Sequence, residues 1–149
     1  MRLAGATTFH LIGGAGARPE HTIADDALAL AQGTCNRLGR TIAYAIATQS
    51  TVGWLDVLRW GFAPVRSLLL DDPLCAEYVA DDDARSRRCI YTAMTAAFCD
   101  LVRGERPRYR MGARVAHMRG TRYQTVYDVV RGHLQCVADE AAARAWRIR

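Results

Sequence analysis

The amino-acid sequence has no lysine among its 149 residues, and it has no long uninterrupted hydrophobic run. A helix that crosses a membrane needs about 18 or more consecutive apolar residues. Arginine, aspartate, histidine or glycine breaks every candidate stretch, so the sequence predicts no membrane-spanning helix. Hydrophobic residues make up 50% of the chain and charged residues 23%, which excludes the disordered and collagen-like classes and indicates about one globular domain.

The cysteines also lack a pairing pattern. Five are present, which is an odd number, and no two of them form a CxxC motif. This spacing argues against a disulfide framework and against a structural zinc site. We therefore expect buried, reduced thiols in a cytoplasmic protein, with no metal ion or other cofactor. The cysteines are Cys35, Cys75, Cys89, Cys99 and Cys136.

Positive charge is concentrated near the C-terminus. Residues 1–102 contain 9 arginines and 11 acidic residues, a balance of −2, whereas residues 103–149 contain 11 arginines and 4 acidic residues, a balance of +7. Biased codon usage explains the preference for arginine over lysine, so the placement of the arginines is more informative than their number. Because guanidinium groups bind phosphates and carboxylates bidentately, the asymmetry predicts an anionic partner for the last third of the chain.

The first two thirds of the chain have helical periodicity. Thr22, followed three residues later by Asp25, is typical of a helix start. Apolar residues spaced by three or four positions then continue to about Gln49, which predicts a helix over residues 22–49.

Further helices are expected before the periodicity changes. The apolar face of residues 54–62 predicts a short helix that Pro64 interrupts, and a second short helix is expected over residues 73–80. The carboxylates of residues 81–83 suit the positive end of the next helix, because they cap its free amide groups. Gly104 is the expected C-terminal stop of that helix.

After this glycine the pattern becomes that of strands. Residues 108–115 alternate between arginines on one side and apolar residues on the other, which predicts a strand with a basic face. Gly120 predicts a turn, and residues 122–130, rich in β-branched and aromatic side chains, predict a second strand. Residues 133–137 are expected to form a third.

The fold class expected from these elements is α+β. Residues 1–104 form a mainly helical region, to which residues 7–12 add an N-terminal strand. Residues 105–149 form a small basic β module, either an antiparallel sheet or an SH3-like, partly open barrel. Residues 143–149 are open to two interpretations, a fourth strand or a terminal helix.

The sequence contains no complete catalytic or phosphate-binding motif. Residues 13–16, Gly-Gly-Ala-Gly, match neither the dinucleotide-binding nor the nucleotide-binding glycine spacing. The four histidines are scattered, and no base, nucleophile and oxyanion donors form a set. An enzyme is therefore the last of three hypotheses on function.

The basic face of the predicted β module is the candidate site. Its arginines suit phosphate or carboxylate contacts, and an exposed tyrosine ring could stack on a base. A structural interpretation, in which the tyrosines are core residues and the arginines only solvate the surface, stays open. The candidate binding residues are Arg108, Arg110, Arg114, Arg119, Arg122 and Tyr123.

Two functions use this face. The first hypothesis is a non-enzymatic interaction protein, a small regulator or inhibitor that binds a macromolecular partner through the basic module. The alternative is a nucleic-acid-binding protein that contacts phosphates with the same arginines. Both predict a partner with an acidic surface, which is a protein or a nucleic acid and not a membrane.

Overall fold

The structure is a computed structural model that describes residues 37–148, with side-chain surroundings for residues 37–145. This part of the chain folds into six α-helices and contains no β-strand. None of these helices is long and apolar enough to cross a membrane. The helices are α1 (Arg37–Thr48), α2 (Trp54–Asp71), α3 (Ala76–Val79), α4 (Ala84–Arg103), α5 (Tyr109–Ala116) and α6 (Gly120–Ile148).

Helices α4 and α6 form the centre of the fold. Helix α4 packs against all five other described helices, and α6 packs against every one except α3. The buried face of α4 has the three- and four-residue spacing of an amphipathic helix, and burying this apolar stripe favours the helical conformation. Its largest buried side chains are Ile90, Met94, Phe98 and Leu101.

Both ends of α4 agree with the prediction from the sequence. The carboxylate of Asp83 accepts a hydrogen bond from the backbone N–H of Ser86 at 2.8 Å, which caps the first turn. This bond holds the pKa of Asp83 below its ordinary value. Gly104 ends the helix in the left-handed conformation, with φ of 66°, where glycine carries no Cβ penalty.

In α2, the structure corrects one helix boundary that the sequence predicted. The predicted interruption at Pro64 is wrong, because α2 continues through it from Trp54 to Asp71. Gly61 has no side chain, and the side chains of Leu38 and Met94 fill the space beside it. Residues four apart therefore form a continuous buried stripe along α2. These residues are Val57, Gly61, Val65 and Leu69.

The prediction of an α+β fold is wrong, because the last third of the chain is helical. The predicted strand over residues 108–115 lies in α5, and the predicted strands over residues 122–130 and 133–137 lie within α6. The same residues that favour strands locally are buried at helical spacing in α6, where they pack against the other helices. These residues are Tyr123, Val126, Tyr127, Val130 and Leu134. Tertiary burial therefore overrides the local β propensity.

The expected turns and tail of the β module are absent from the described chain as well. Gly120 begins α6 and Gly132 lies inside it, and each has open space where a side chain would project. The tail of the chain continues α6 as far as Ile148, which favours the terminal helix over a fourth strand.

Three predictions lie outside the described residues. They are the strand over residues 7–12, the glycine-rich residues 13–16, and the start of the first helix at residues 22–36. The part of that helix that is described, α1, begins at Arg37 and buries Leu38, Ile42 and Ala45. The division of the chain into residues 1–104 and 105–149 stays a prediction.

Candidate functional site

A groove of about 460 Å³ lies between α2, α4, α5 and α6 and the loop that joins α4 to α5. We call it the apolar groove. Four large hydrophobic residues line it and remain 38% to 59% exposed. Exposed apolar side chains that line one cleft are typical of surfaces that bind another molecule. These four residues are Trp54, Tyr91, Met111 and Val115.

Helix α5 forms one wall of the groove and has two different faces. Its inner face consists of small residues, Gly112, Ala113 and Ala116, which lie against the core. Its outer face has an apolar half, Met111 and Val115, that borders the groove. A basic half, which carries Arg110 and Arg114, lies beside it on the same exposed face. Charge and apolar surface are therefore adjacent on one short helix.

Close packing between α5 and α6 positions this wall. A side chain at Gly112 would overlap the Tyr123 ring, so only glycine lets the two helices approach this closely. Tyr123 is 1% exposed, and burial raises the pKa of its hydroxyl. That hydroxyl has no hydrogen-bond partner within the described part of the chain. The candidate residue Tyr123 is therefore a core residue that supports the groove, and its ring is not an exposed stacking surface.

A polar network near the groove ties α6 to α4 and to the loop after α4. The Tyr127 hydroxyl donates to the Asp100 carboxylate at 2.6 Å and accepts from Arg131 at 2.9 Å. The same Arg131 nitrogen donates to the backbone carbonyl of Glu105 at 3.2 Å. Burial, followed by the bond to Asp100, raises the pKa of Tyr127. These bonds fix the loop from which α5 begins.

The first residue of α5 is held in a similar way. The Tyr109 hydroxyl donates to the Asp128 carboxylate at 2.7 Å, and this bond raises the pKa of Tyr109. The Tyr109 ring also meets the Tyr127 ring edge to face, with 5.4 Å between the centroids. Helix α5 is therefore anchored to α6 at its start by Tyr109 and along its length by the contact at Gly112.

Arginines border the apolar groove, and they differ in their partners. Arg108 pairs with Glu105 at 2.7 Å, and Arg103 lies 3.9 Å from the same carboxylate. Arg110 and Arg114, four residues apart on the outer face of α5, make no ion pair with any residue that the structure describes. The positive charge of these two side chains is therefore available to a ligand.

A second cleft, of about 370 Å³, lies between α3, the start of α4 and residues 117–122. We call it the polar cleft. The Arg122 guanidinium lies 5.1 Å from the centroid of the Tyr78 ring, which is within the range of a cation–π contact. The formal charges that line this cleft balance, since three carboxylates and three arginines line it. They are Glu77, Asp81, Asp83, Arg85, Arg119 and Arg122.

The predicted basic face is therefore divided between two clefts. Arg108 lines the apolar groove, and Arg110 and Arg114 lie beside it. Arg119 and Arg122 line the polar cleft. The prediction that alternate arginines share one strand face is wrong in its reason, because on α5 the residues that share a face are three or four positions apart.

The chemistry of the apolar groove suits binding. Cys99 lines it, but burial raises the pKa of this thiol, which disfavours the nucleophilic thiolate. No group of three or more histidine, cysteine, aspartate or glutamate side chains that could hold a metal ion occurs within residues 37–148. What the groove offers a ligand is apolar area, guanidinium groups and a fixed shape.

Sequence reasoning missed the apolar lining of the groove, although one signal for it was present. The inner face of α5 has the i, i+3, i+4, i+7 spacing of a helix, and this spacing competes with the alternation that predicted a strand. Under the helical interpretation, Met111 and Val115 fall on the exposed face as an apolar pair. The residues with the helical spacing are Tyr109, Gly112, Ala113 and Ala116.

Comparison of the chain with protein-family models, with curated proteins and with solved structures gives no match. The function of the apolar groove is therefore inferred from its geometry and its charge.

Proposed function

We propose that the chain is a non-enzymatic interaction protein, a small regulator or inhibitor, that binds an acidic amphipathic segment of a partner protein in the apolar groove. The observation that carries this proposal is the position of Met111 and Val115, more than half exposed, beside Arg110 and Arg114 on one helix. A partner segment that places apolar side chains in the groove and carboxylates on its edge satisfies both halves of this face.

Helix-in-groove recognition is the mode that suits this combination of apolar lining and neighbouring charge. An amphipathic helix lays one apolar stripe into a hydrophobic groove, and its flanking charges meet the rim. Trp54 and Tyr91 supply aromatic surface of the kind that often dominates binding energy at interfaces. Arg110 and Arg114 supply guanidinium forks that match carboxylates bidentately.

The proposal includes a cytoplasmic location. The four cysteines within the described residues are free, and two of them, Cys75 and Cys89, are buried in the core. Burial raises the pKa of each of these two thiols to about 11. Free, protonated thiols in a core are typical of proteins from a reducing compartment.

The test is a selection of peptides from a displayed random library on the full-length chain. We expect the selected peptides to combine hydrophobic residues at helical spacing with aspartate or glutamate. M111D/V115D should weaken binding of a selected peptide by at least about tenfold, because each substitution places a carboxylate where an apolar side chain has to dock. R110E/R114E should weaken it as well, and more strongly at low salt.

Arg59→Glu is the matched control, because Arg59 is an exposed arginine on α2 that does not line the groove. Selected peptides that bind equally well to M111D/V115D and to the unchanged chain would contradict the proposal. A single-stranded RNA oligonucleotide tests the nucleic-acid alternative. Replacement of Arg108, Arg110 and Arg114 together would then weaken RNA binding and lower its salt slope by roughly 0.7 for each lost phosphate contact, whereas the uncharged variant M111S/V115S would not.

A further inference from the structure

We propose that the apolar groove selects a partner segment with a carboxamide side chain, that of glutamine or asparagine, which bonds to the hydroxyl of Tyr123. This inference rests on the function proposed above and names a residue that determines its specificity. Three polar residues that line the groove, Asp100, Tyr123 and Tyr127, are buried or half-buried, and we call them the polar floor. The partners of their polar atoms carry the argument.

The hydroxyl end of Tyr123 lies at the wall of the groove. The three atoms that a side chain at Gly112 would meet first are Cζ, Oη and Cε2 of Tyr123. Gly112 and Tyr123 both line the groove. The hydroxyl therefore lies where α5 and α6 meet in the groove wall, and the base of the Tyr123 side chain lies farther from Gly112.

This hydroxyl is buried and has no partner in the described part of the chain. Tyr123 is 1% exposed, and its Oη makes no hydrogen bond there, whereas the Tyr127 hydroxyl has two partners. Burial, followed by the charge of Asp100, raises the pKa of Tyr123, so the hydroxyl stays protonated and can donate. A buried donor without an acceptor costs free energy, and a ligand that brings an acceptor removes this cost.

The carboxylate of Asp100 narrows the chemistry of that acceptor. Among the described residues, Asp100 accepts a side-chain hydrogen bond from Tyr127 through Oδ2, and its Oδ1 makes none. A partner carboxylate would be repelled by Asp100. A carboxamide has an oxygen that can accept from a hydroxyl and an NH₂ group that can donate to a carboxylate. The polar floor therefore suits a neutral carboxamide, while the acidic residues of the partner suit Arg110 and Arg114 at the edge.

A ligand reaches the Tyr123 hydroxyl only when the side chains that line the groove move. Rotamer changes of this kind are common when proteins bind one another. Met111, which is next to Gly112 and 59% exposed, is an unbranched side chain that adapts to a ligand easily. The hydroxyl is therefore screened from water in the free chain and becomes hydrogen-bonded in the complex.

The experiment repeats the peptide selection on two full-length chains, the unchanged one and Tyr123→Phe. Peptides from the unchanged chain should carry glutamine or asparagine at one position of their apolar face, and peptides from Tyr123→Phe should carry leucine or methionine there. The tightest peptide from the unchanged chain then becomes the probe, and a second peptide has methionine in place of its carboxamide residue. In fluorescence anisotropy, the probe should bind Tyr123→Phe about tenfold more weakly than the unchanged chain. The methionine peptide should bind Tyr123→Phe at least as tightly as the unchanged chain, which completes a double-mutant cycle.

Urea unfolding separates this role from a structural one. Phenylalanine removes a hydroxyl that has no partner in the described part of the free chain, so Tyr123→Phe should unfold at the same urea concentration as the unchanged chain or at a higher one. A lower midpoint would show that the hydroxyl stabilises the free chain and would overturn the inference. Tyr78→Phe is the matched control, because it removes a tyrosine hydroxyl from the polar cleft and should leave the binding of both peptides unchanged.

The remaining outcomes distinguish this inference from the proposed function. Equal binding of the probe to Tyr123→Phe and to the unchanged chain would overturn the inference, and so would selected peptides without a carboxamide. If M111D/V115D weakens binding of the probe while Tyr123→Phe does not, the proposed function stands and this inference fails. If no selected peptide depends on Met111 and Val115, both fail.

Discussion

The apolar groove and the polar cleft both border α4 and the beginning of α6, yet they differ in the charged side chains that accompany their arginines. The polar cleft is lined by the carboxylates of Glu77, Asp81 and Asp83 as well as by arginines, and the Arg122 guanidinium lies over the Tyr78 ring. Beside the apolar groove, Arg110 and Arg114 have no acidic partner among the described residues. Arginine content alone therefore does not distinguish the two clefts; the number of carboxylates beside the arginines does.

The two clefts also differ in their support. The wall of the apolar groove is a helix of eight residues that depends on close contact with α6 at Gly112 and on the tyrosine network. The polar cleft is formed largely around the capped start of the long helix α4. Substitutions can therefore alter one cleft while leaving the other in place.

The largest expected effect comes from Gly112→Val, which forces a side chain against the Tyr123 ring and separates α5 from α6. Overpacking of this kind costs about 3 kcal/mol. We expect a loss of that size in urea unfolding, together with loss of peptide binding in the apolar groove. Gly132→Ala is the control, because its site in α6 is open and alanine favours a helix, so this variant should be more stable by up to about 1 kcal/mol. Equal stability of the two variants would contradict the packing between α5 and α6.

The thiols offer a second comparison, since Cys89 lines the polar cleft and Cys99 the apolar groove. Burial raises the pKa of Cys89 to about 11, so at pH 8 its thiolate fraction is about a hundredfold lower than that of an ordinary thiol. Cys136 is exposed and should react first, Cys99 next, and Cys75 and Cys89 last. Alkylation of the native chain followed by peptide mass mapping measures the order. Rapid labelling of Cys89 would contradict its burial in the core. Disulfides in freshly purified protein would contradict the expectation of free thiols.

Tyr127→Phe tests the network beside the apolar groove. The substitution removes a hydroxyl that is bonded to Asp100 and to Arg131, and leaves both charged groups short of a partner. We expect a loss of about 2 kcal/mol in unfolding free energy, because hydrogen bonds to charged groups are the stronger ones. Tyr109→Phe removes a more exposed bond to Asp128 and should cost less than about 1 kcal/mol. A larger loss for Tyr109→Phe would reverse this ranking.

The smallest effect concerns the capped helix beside the polar cleft, and it depends on pH. The bond from the Ser86 amide lowers the pKa of Asp83 in the folded chain, so the stabilisation is complete above the unfolded pKa and is lost as the pH falls toward the folded one. In acid unfolding, Asp83→Asn should therefore lose less stability below about pH 4 than the unchanged chain, since asparagine caps without titrating. An unchanged acid slope in this variant would show that Asp83 contributes nothing to it.

The best predictions from the sequence concern α4. A carboxylate that can cap, an apolar stripe at helical spacing and a terminal glycine all agree there, and the structure confirms the start at Asp83 and the end at Gly104. The prediction for the last third of the chain was wrong for the opposite reason, since the local signals there disagree. Its β-branched and aromatic residues favour strands locally, whereas Tyr123, Tyr127 and Val130 also fit a helical stripe, and the two patterns coexist in one segment.

The amino-acid sequence alone determined the helical character of the region around α4 and the excess of arginine after residue 102. It also led to the expectation of an acidic partner. Tertiary packing decided the rest. Burial against α1 and α4 selected the helical conformation of α6, and the space at Gly112 let α5 lie against it. That arrangement exposes Met111 and Val115 next to Arg110 and Arg114 and forms a groove from helices α2, α4, α5 and α6. No local pattern specifies such a groove, because its shape depends on how separate apolar stripes pack against one another.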